Sequence, residues 1–253
     1  MQKKTDDFFK ENLTEYKWVD KIMYVAKPGR LMLLVGRAGV GKTTLAINLI
    51  ENVSIRAGKT CTVFSLGMPR GEIVQRLICN YSNINLKKAL NGKLETDELR
   101  RLTFEKEKFA NVYVDDSTRI TPEEILSKCR QLKTNGQLDL VIIDYLQLVS
   151  IGKREYASVL HTLKIVAKEL NVPILMLAQL RDRSLQSKEP RRSNPRELNG
   201  IEQEADIVMF LHRPNMVMQK AELIIDKNNC GELGRVQIEF NDEYMKFVDL
   251  KKE

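Results

Sequence analysis

Short apolar runs alternate with amphipathic stretches along most of the chain, and this pattern predicts a mainly parallel sheet flanked by helices. Two of the runs, Leu138–Asp144 and Val172–Ala178, are almost continuously apolar, which is typical of parallel strands covered on both faces. The predicted strands are Leu31–Val35, Thr60–Leu66, Val112–Asp115, Leu138–Asp144, Val172–Ala178, Ile207–Leu211, Ala221–Ile225 and Val236–Phe240.

Helical periodicity fills the gaps between the earlier strands but not between the last three. The clearest helix start is Thr121 with Pro122 and acidic residues behind it, and Asn135-Gly136 is the matching stop. The predicted helices are Thr43–Ser54, Gly71–Tyr81, Asp97–Phe109, Pro122–Thr134 and Glu155–Leu170. We therefore expect an α/β domain over residues 30–253 with an antiparallel C-terminal extension, preceded by an N-terminal segment, 1–29, that acts as a linker or packing arm.

A glycine-rich loop with the pattern G-x-x-x-x-G-K-T lies between the first predicted strand and the first predicted helix. Such a loop turns backbone N–H groups toward phosphate oxygens, and the helix N-terminus adds partial positive charge. A glycine-rich turn with an exposed lysine is the plain alternative, which the strand and helix flanks disfavour. The loop predicts a nucleoside triphosphate site formed by Gly36, Arg37, Ala38, Gly39, Val40, Gly41, Lys42, Thr43 and Thr44.

Two oxygen-bearing side chains are candidates for a Mg²⁺ site. The Thr43 hydroxyl follows the loop lysine, and Asp144 ends the buried strand Leu140–Ile143. Hydroxyl and carboxylate oxygens are ligands that Mg²⁺ prefers beside nucleotide phosphates. An Asp at a strand end can instead simply cap the next turn. With the phosphate loop present, we favour the Mg²⁺ role.

Composition adds only weak constraints. The chain has 253 residues, 43% of them hydrophobic, with a net charge of +7 that suits either a polyanionic partner or plain solubility. Its N-terminus lacks the pattern of a signal peptide and no apolar run is long enough to cross a bilayer, so we expect a cytoplasmic protein without a membrane partner. The four cysteines are spread along the chain without metal-site spacing, so we expect them to be reduced, buried thiols: Cys61, Cys79, Cys129 and Cys230.

Several blocks together resemble the motor domain of replicative DnaB-type helicases, in the RecA-like superfamily. They stand in that family's order from about residue 30 to the C-terminus, and no counterpart of the family's helical N-terminal domain is recognised. The blocks are Phe64–Met68, Val141–Leu148, Leu163–Pro173, Ala178–Leu180 and Ile201–Asp206.

The resemblance implies a RecA-like fold and a homo-oligomeric ring, with a hexamer as the expected form, ATP between subunits and single-stranded DNA in the centre. Other replication proteins would be further partners. Lys42, Thr43, Asp144 and Gln179 would be the catalytic set, with Gln179 sensing the γ-phosphate and relaying its state toward DNA. A glutamine at a strand end can also serve only a local hydrogen bond.

A strongly basic segment begins two residues after Gln179 and gives independent support for DNA. Residues 181–196 hold six basic and two acidic side chains, a local charge of +4. Such charge gives sequence-independent, salt-sensitive binding to phosphates, and the lack of aromatic residues favours backbone contacts over base stacking. A solvated surface loop is the alternative. The predicted DNA-binding residues are Arg181, Arg183, Lys188, Arg191, Arg192 and Arg196.

Two positions depart from the family pattern. The family's S-L-E-M carries a glutamate that polarises the attacking water, and here Gly67 takes its place. A water-orienting group contributes about 10²–10⁴-fold to a rate. Glu72, the nearest candidate for a substitute, would reach the site only if the loop bent unusually.

The second departure lies in the family's K-x-R-x-G element. Lys227, which would reach a neighbour's ATP, is retained, whereas Asn229 replaces the finger arginine. An arginine finger supplies about 10³–10⁵ in turnover, and a neutral asparagine cannot replace its charge. A nearby cation such as Arg235 could have taken over.

Three functions therefore compete: an active motor with substitute groups, an ATP-dependent assembly subunit or regulator of a true helicase, and a RecA-like recombination ATPase. The block order and the I-D-Y-L-Q-L segment disfavour the third. We expect a DnaB-like ATP-binding helicase domain with impaired hydrolysis.

Overall fold

A nine-stranded sheet forms the centre of the computed structural model, which describes residues 16–180, 200–215, 217–229 and 231–250. The strand order is β3-β2-β4-β5-β1-β6-β7-β8-β9; pairing is parallel from β3 to β6 and antiparallel from β6 to β9. The fold prediction is confirmed, and β9 is a strand that the sequence pattern missed. The strands are β1 Leu31–Gly36, β2 Cys61–Ser65, β3 Val112–Asp115, β4 Leu140–Asp144, β5 Ile174–Gln179, β6 Ile207–His212, β7 Lys220–Asn228, β8 Gly234–Asn241 and β9 Lys246–Asp249.

The helices flank this sheet and reproduce the five predicted ones with small changes. The first predicted helix changes to a π-helical turn at Asn52–Arg56, and the third ends in a 3₁₀ turn at Glu105–Phe109. The α-helices are α1 Lys17–Val25, α2 Lys42–Glu51, α3 Arg70–Tyr81, α4 Leu86–Leu90, α5 Thr96–Phe104, α6 Pro122–Thr134, α7 Tyr156–Leu170 and α8 Ile201–Glu204.

Helix α1 lies inside the segment that the sequence pattern set apart as a linker or packing arm. Trp18, Val19 and Ile22 on this helix are fully buried in the same hydrophobic cluster as α2 and α3. The backbone N–H of Lys17 donates to Asp249 Oδ2 at 2.8 Å, which ties the start of the helix to β9. This part of the N-terminal segment therefore packs on the sheet.

Two hydrophobic cores cover the opposite faces of the sheet. On β1, Met32 and Leu34 pack on the face covered by α1, α2 and α3. Leu31, Leu33 and Val35 pack on the face covered by α6 and α7. Burial on both faces explains why the strand reads as one continuous apolar run. Cys61, Cys79 and Cys129 are buried free thiols, and Cys230 lies outside the described residues.

The parallel register brings four strand ends to one edge of the sheet. Gly36 at the end of β1 lies opposite Gln179 at the end of β5. Ser65 at the end of β2 lies opposite Asp144 at the end of β4. Ligands of open α/β sheets bind at this carboxyl edge. Within the part of the chain that the structure describes, no helix is long and apolar enough to cross a membrane.

Candidate functional site

The glycine-rich loop joins β1 to α2 in the geometry of a phosphate cradle. Gly41, just before α2, has φ 103° in the left-handed region, where glycine is strongly favoured. A Cβ there would also meet Phe247 Cζ at 2.9 Å. The rings of Phe247 and Phe240 make an edge-to-face contact, with 5.0 Å between their centroids. The β8–β9 hairpin that carries them therefore packs against the loop at Gly41. Because Gly41 has no side chain, the loop can rest directly on these rings.

Lys42 is held over the loop by its own chain. Its Nζ donates to the carbonyl oxygens of Gly36 and Arg37, both at 2.9 Å. Burial lowers the pKa of Lys42 to about 8, although the negative charge of Asp144 acts in the opposite direction. A buried ammonium held by carbonyls gains strongly from an anion brought to the loop. Thr44, two residues further along α2, is buried.

Thr43 and Asp144 meet although they are 101 residues apart in sequence. The Thr43 hydroxyl donates to Asp144 Oδ2 at 2.6 Å. Burial raises the pKa of Asp144, while this hydrogen bond and the charges of Lys42 and Arg76 oppose the rise. A hydroxyl and a carboxylate oxygen side by side, next to a phosphate cradle, form a donor set that fits Mg²⁺.

Gln179 ends β5 at the same edge, and its backbone is clamped by Gln147, a residue that the sequence argument did not single out. Gln147 Nε2 donates to Gln179 O at 2.9 Å, and the Gln179 N–H donates to Gln147 Oε1 at 3.1 Å. Gln147 lies in a short 3₁₀ turn, Leu146–Leu148, that follows Asp144. The I-D-Y-L-Q-L segment contained it, but only the fold reveals its partner.

A cavity of about 690 Å³ opens beside the glycine-rich loop. Arg213 lies over the Phe240 ring, 4.1 Å from its centroid, and forms part of the wall. This volume lies within the range of small-molecule pockets in proteins, which runs from about 300 to about 1,000 Å³. Sequence analysis missed the lining residues at the end of β6 and just beyond β6 and β8, because no local motif marks them: Leu211, His212, Arg213, Pro214, Asn215 and Asp242.

Position 67 carries no carboxylate, and neighbouring side chains fill the adjacent space. A Cβ on Gly67 would meet Leu148 Cδ1 at 3.0 Å and Tyr145 Cε1 at 3.6 Å. Glu72 lies in the first turn of α3. Its Oε1 accepts hydrogen bonds from Arg76 Nε at 3.1 Å and Nη2 at 2.7 Å. The carboxylate nearest in sequence to the missing one is therefore already engaged by a guanidinium.

The three residues considered for the finger element contact their own chain. Lys227 Nζ donates to the carbonyl oxygens of Glu202 at 3.1 Å and Gln203 at 3.0 Å. Asn229 is exposed just beyond the end of β7. Its backbone N–H donates to Asp206 O, just before β6, at 3.0 Å. Arg235 on β8 pairs with Glu222 at 3.4 Å. Lys227 is thus anchored to the last turn before β6.

The predicted DNA-binding residues Arg181, Arg183, Lys188, Arg191, Arg192 and Arg196 lie outside the described residues. The described chain stops at Leu180, directly after Gln179, and resumes at Gly200 before α8.

Comparison with known proteins gives a consistent result. The family model "DnaB-like helicase C terminal domain" matches residues 13–249. The chain is 35% identical over 257 residues to the replicative DNA helicase DnaB of Geobacillus stearothermophilus, and 34% identical to the replicative DNA helicase DnaC of Bacillus subtilis (strain 168). Each alignment covers 94% of this chain and 56% of the relative, so the chain spans just over half the length of these proteins.

Two solved structures are similar over nearly the whole chain. One is described as an ATPase domain, with a TM-score of 0.84, 28% identity, and coverage of 96% of this chain and 93% of that one. The other is described as "The Structure Of A DnaB-Like Replicative Helicase And Its Interactions With Primase". It has a TM-score of 0.84, 28% identity, and coverage of 95% and 63% respectively.

Proposed function

The chain belongs to the family of DnaB-like helicase C-terminal domains, and on that basis we propose that it is a Mg²⁺–ATP-binding helicase domain that acts on single-stranded DNA with impaired hydrolysis. The observation that carries nucleotide binding is the meeting of the loop residues with Asp144. Thr43 Oγ1 and Asp144 Oδ2 lie 2.6 Å apart, beside the buried Lys42.

Each residue has a separate task in nucleotide binding. The backbone N–H groups of the loop and the start of α2 would bind the phosphates. Lys42 would exchange its two carbonyl partners for phosphate oxygens and regain favourable surroundings for its charge. Thr43 and Asp144 would hold Mg²⁺, which when bound neutralises phosphate charge. The cavity walled by Arg213 would take the nucleoside.

Impaired hydrolysis rests on two replaced groups. Gly67 offers no carboxylate to orient the attacking water, a loss of about 10²–10⁴-fold. Asn229 offers no charge to a neighbour's γ-phosphate, a loss of about 10³–10⁵-fold. The binding groups are retained and the hydrolytic groups are not, so we expect tight binding and slow turnover.

Partners follow from the family and from charge. We propose a ring of copies, six by analogy, in which Lys227 reaches the nucleotide of the next subunit. The basic residues between 181 and 196 would neutralise the phosphates of single-stranded DNA. Other replication proteins are further candidate partners, since one similar structure is described with primase.

A second candidate function is favoured by the same two departures. An ATP-dependent assembly subunit or regulator of an active helicase needs the binding groups but neither a catalytic glutamate nor a finger arginine. A recombination ATPase of the RecA type remains a third and weaker candidate, because the family match runs across residues 13–249.

Binding measurements test this proposal. Mg²⁺–ATP should bind the purified protein by calorimetry, and Asp144→Asn should weaken binding more in the presence of Mg²⁺ than in its absence. A labelled oligothymidylate should bind with an affinity that falls steeply as salt rises. A matched variant, Asp139→Asn, changes a carboxylate away from the loop and should keep the affinity for nucleotide. Absence of Mg²⁺-dependent nucleotide binding would contradict the proposal.

A further inference from the structure

Strand β3 forms one edge of the sheet, and among the described residues no strand lies on its outer side. The N–H of Cys61 on β2 donates to Asn111 O at 3.0 Å. Because successive residues of a strand direct their backbone groups to opposite sides, Asn111 and Tyr113 face β2. Val112 and Val114 therefore direct their N–H and C=O groups outward, where a further strand can pair with them.

The side chains of β3 divide between the two faces of the sheet. Val112 and Val114 pack against the core that α1, α2 and α3 cover. Tyr113 lies opposite Thr62 on β2, and Thr62 is two residues before Phe64 and therefore on the same face. Phe64 belongs to the core that α6 and α7 cover. The side chain of Tyr113 is therefore on the α6 side of the sheet.

A cavity of about 250 Å³ lies on this side, between α6 and the strands β2 and β3. We call it the edge cavity; its lining includes Thr62, Phe64, Tyr113, Lys128 and Leu132. Thr62 is 1% exposed, and within the part of the chain that the structure describes its Oγ1 has no hydrogen-bond partner. A buried hydroxyl without a partner costs free energy. A ligand that bonded to it would recover that cost.

The charges that line the edge cavity cancel. Its acidic and basic members are Asp115 and Lys128, and the Lys128 ammonium donates to Asp115 Oδ2. The same ammonium donates to Ser117 Oγ at 3.0 Å. The other lining side chains are uncharged and include the amides of Gln131 and Asn135. A charged group that entered would lose hydration without gaining an opposite charge, so an uncharged group is the complementary one.

We propose that this edge of the sheet is a docking site for an extended peptide segment of a partner protein, which pairs with β3 and places a tyrosine side chain in the edge cavity. Addition of a strand to a sheet edge takes its affinity from main-chain hydrogen bonds and its specificity from side-chain pockets. Tyrosine combines an apolar ring with a hydroxyl that needs a partner when buried. Phe64 and Leu132 suit the ring, and Thr62 suits the hydroxyl.

The proposed docking site is separate from the nucleotide loop. Strand β3 lies four strands from β1, which is about 19 Å across the sheet. Its binding of a peptide therefore needs neither nucleotide nor DNA. The β3 strand of a second copy is a poor occupant, because its Tyr113 already lines the cavity of its own chain.

The probe is a fluorescein-labelled, C-terminally amidated pentapeptide, Val-Thr-Tyr-Thr-Val, whose binding is measured by anisotropy. Valine and threonine favour an extended backbone. Two matched peptides replace the central tyrosine by phenylalanine, which removes the hydroxyl, or by alanine, which removes the ring. Free p-cresol is a further ligand, which offers the phenol ring without a backbone.

Three protein variants accompany these peptides. Thr62→Val removes the buried hydroxyl and keeps the shape of the side chain. Val114→Pro removes an N–H that faces outward, at an edge position where proline is tolerated. Thr162→Val is the matched control, because the Thr162 hydroxyl on α7 donates to Ser158 O at 3.0 Å, away from the edge cavity.

In the parent and in Thr162→Val we expect the tyrosine peptide to bind about fivefold more tightly than the phenylalanine peptide, the worth of one ordinary hydrogen bond. The alanine peptide should bind at least about tenfold more weakly than the phenylalanine peptide. In Thr62→Val the ratio of the tyrosine and phenylalanine affinities should fall toward one. Without peptide, Thr62→Val should unfold at a urea concentration no lower than the parent, because it loses an unpartnered buried hydroxyl.

Four results would overturn the proposal. The first is a parent that does not bind the tyrosine peptide, and the second is a tyrosine preference that Thr62→Val leaves unchanged. Binding of p-cresol with the same dependence on Thr62, but no binding of the peptide, would assign the edge cavity to small phenols instead. Self-association of the parent in sedimentation that Val114→Pro abolishes would make a second copy the occupant. If Val114→Pro does not fold, the comparison of Thr62→Val with Thr162→Val still decides.

Discussion

Gly67→Glu is the perturbation that addresses the missing carboxylate directly. Gly67 is not among the positive-φ positions of the backbone, so a side chain there brings no left-handed strain. Its Cβ would meet Leu148 Cδ1 at 3.0 Å, a tight contact with the far end of a flexible side chain. Leu148 is 37% exposed and can turn toward solvent, so we expect a stability loss of about 1 kcal/mol. The double variant Gly67→Glu/Leu148→Ala removes even this contact.

The expected gain follows from the chemistry of the restored group. A carboxylate that orients the attacking water raises a rate by about 10²–10⁴-fold. At about 1.36 kcal/mol per tenfold, this corresponds to a barrier lower by about 3–5 kcal/mol. Asn229→Arg acts on the neighbour's nucleotide, so its further gain should appear only at protein concentrations where copies assemble.

Single-turnover hydrolysis of Mg²⁺–ATP with single-stranded DNA present is the assay. Gly67→Gln is the control, because it adds the same bulk without the charge. We expect Gly67→Glu to exceed both the parent and Gly67→Gln, and the pair Gly67→Glu/Asn229→Arg to be fastest. If Gly67→Glu binds nucleotide normally and yet is no faster than Gly67→Gln, the missing carboxylate does not limit hydrolysis and the reasoning is refuted.

Three further predictions concern the loop lysine and the core. The pKa of Lys42 is about 8 without ligand and must rise when phosphates bind. The affinity for Mg²⁺–ATP should therefore fall about tenfold from about pH 7 to about pH 9. A calorimetric affinity that does not change over this pH range would contradict the lowered pKa. Trp18→Ala should cost about 3–5 kcal/mol of unfolding free energy in urea, whereas Tyr24→Ala, at a 55% exposed position of the same helix, should cost far less. Asn48→Ala removes the acceptor of the Phe247 N–H and the donor to Asn80 Oδ1 on α3, while Asn80 Nδ2 keeps its bond to a backbone carbonyl, so the change should cost about 2–3 kcal/mol by the same method; a loss no larger than that of an exposed asparagine would argue against this network.

Much of the fold could be predicted because its signals are local. Continuous apolar runs marked β4 and β5, and a full capping box at Thr121 and Glu124 marked the start of α6. β9 was missed because only four residues, Lys246–Asp249, form it and half of them are charged. Helix α1 itself was not predicted, since residues 1–29 were assigned only as a linker or packing arm, and Tyr16 at its N-cap makes no side-chain capping bond that would mark a helix start. Its place in the core comes from packing against the sheet, which no short sequence window contains.

The candidate site likewise contains residues that local sequence patterns reveal and residues that only the fold reveals. The loop residues and Asp144 could be found because each stands in a short, recognisable pattern. Gln147 and Arg213 could not, because their roles come from partners distant in sequence: Gln179 lies 32 residues from Gln147, and Arg213, just after β6, contacts the ring of Phe240 on β8. The loss at Gly67 was visible in sequence, but the crowding by a leucine side chain needed the structure.

Turnover of ATP, measured with and without single-stranded DNA in a sample already shown to bind Mg²⁺–ATP, tests the central claim most directly. We predict tight binding with turnover several orders of magnitude below about 1 s⁻¹, the lower end of the ordinary enzyme range. Turnover at about 1 s⁻¹ or faster, stimulated by DNA, would contradict this account and identify a working motor with other hydrolytic groups.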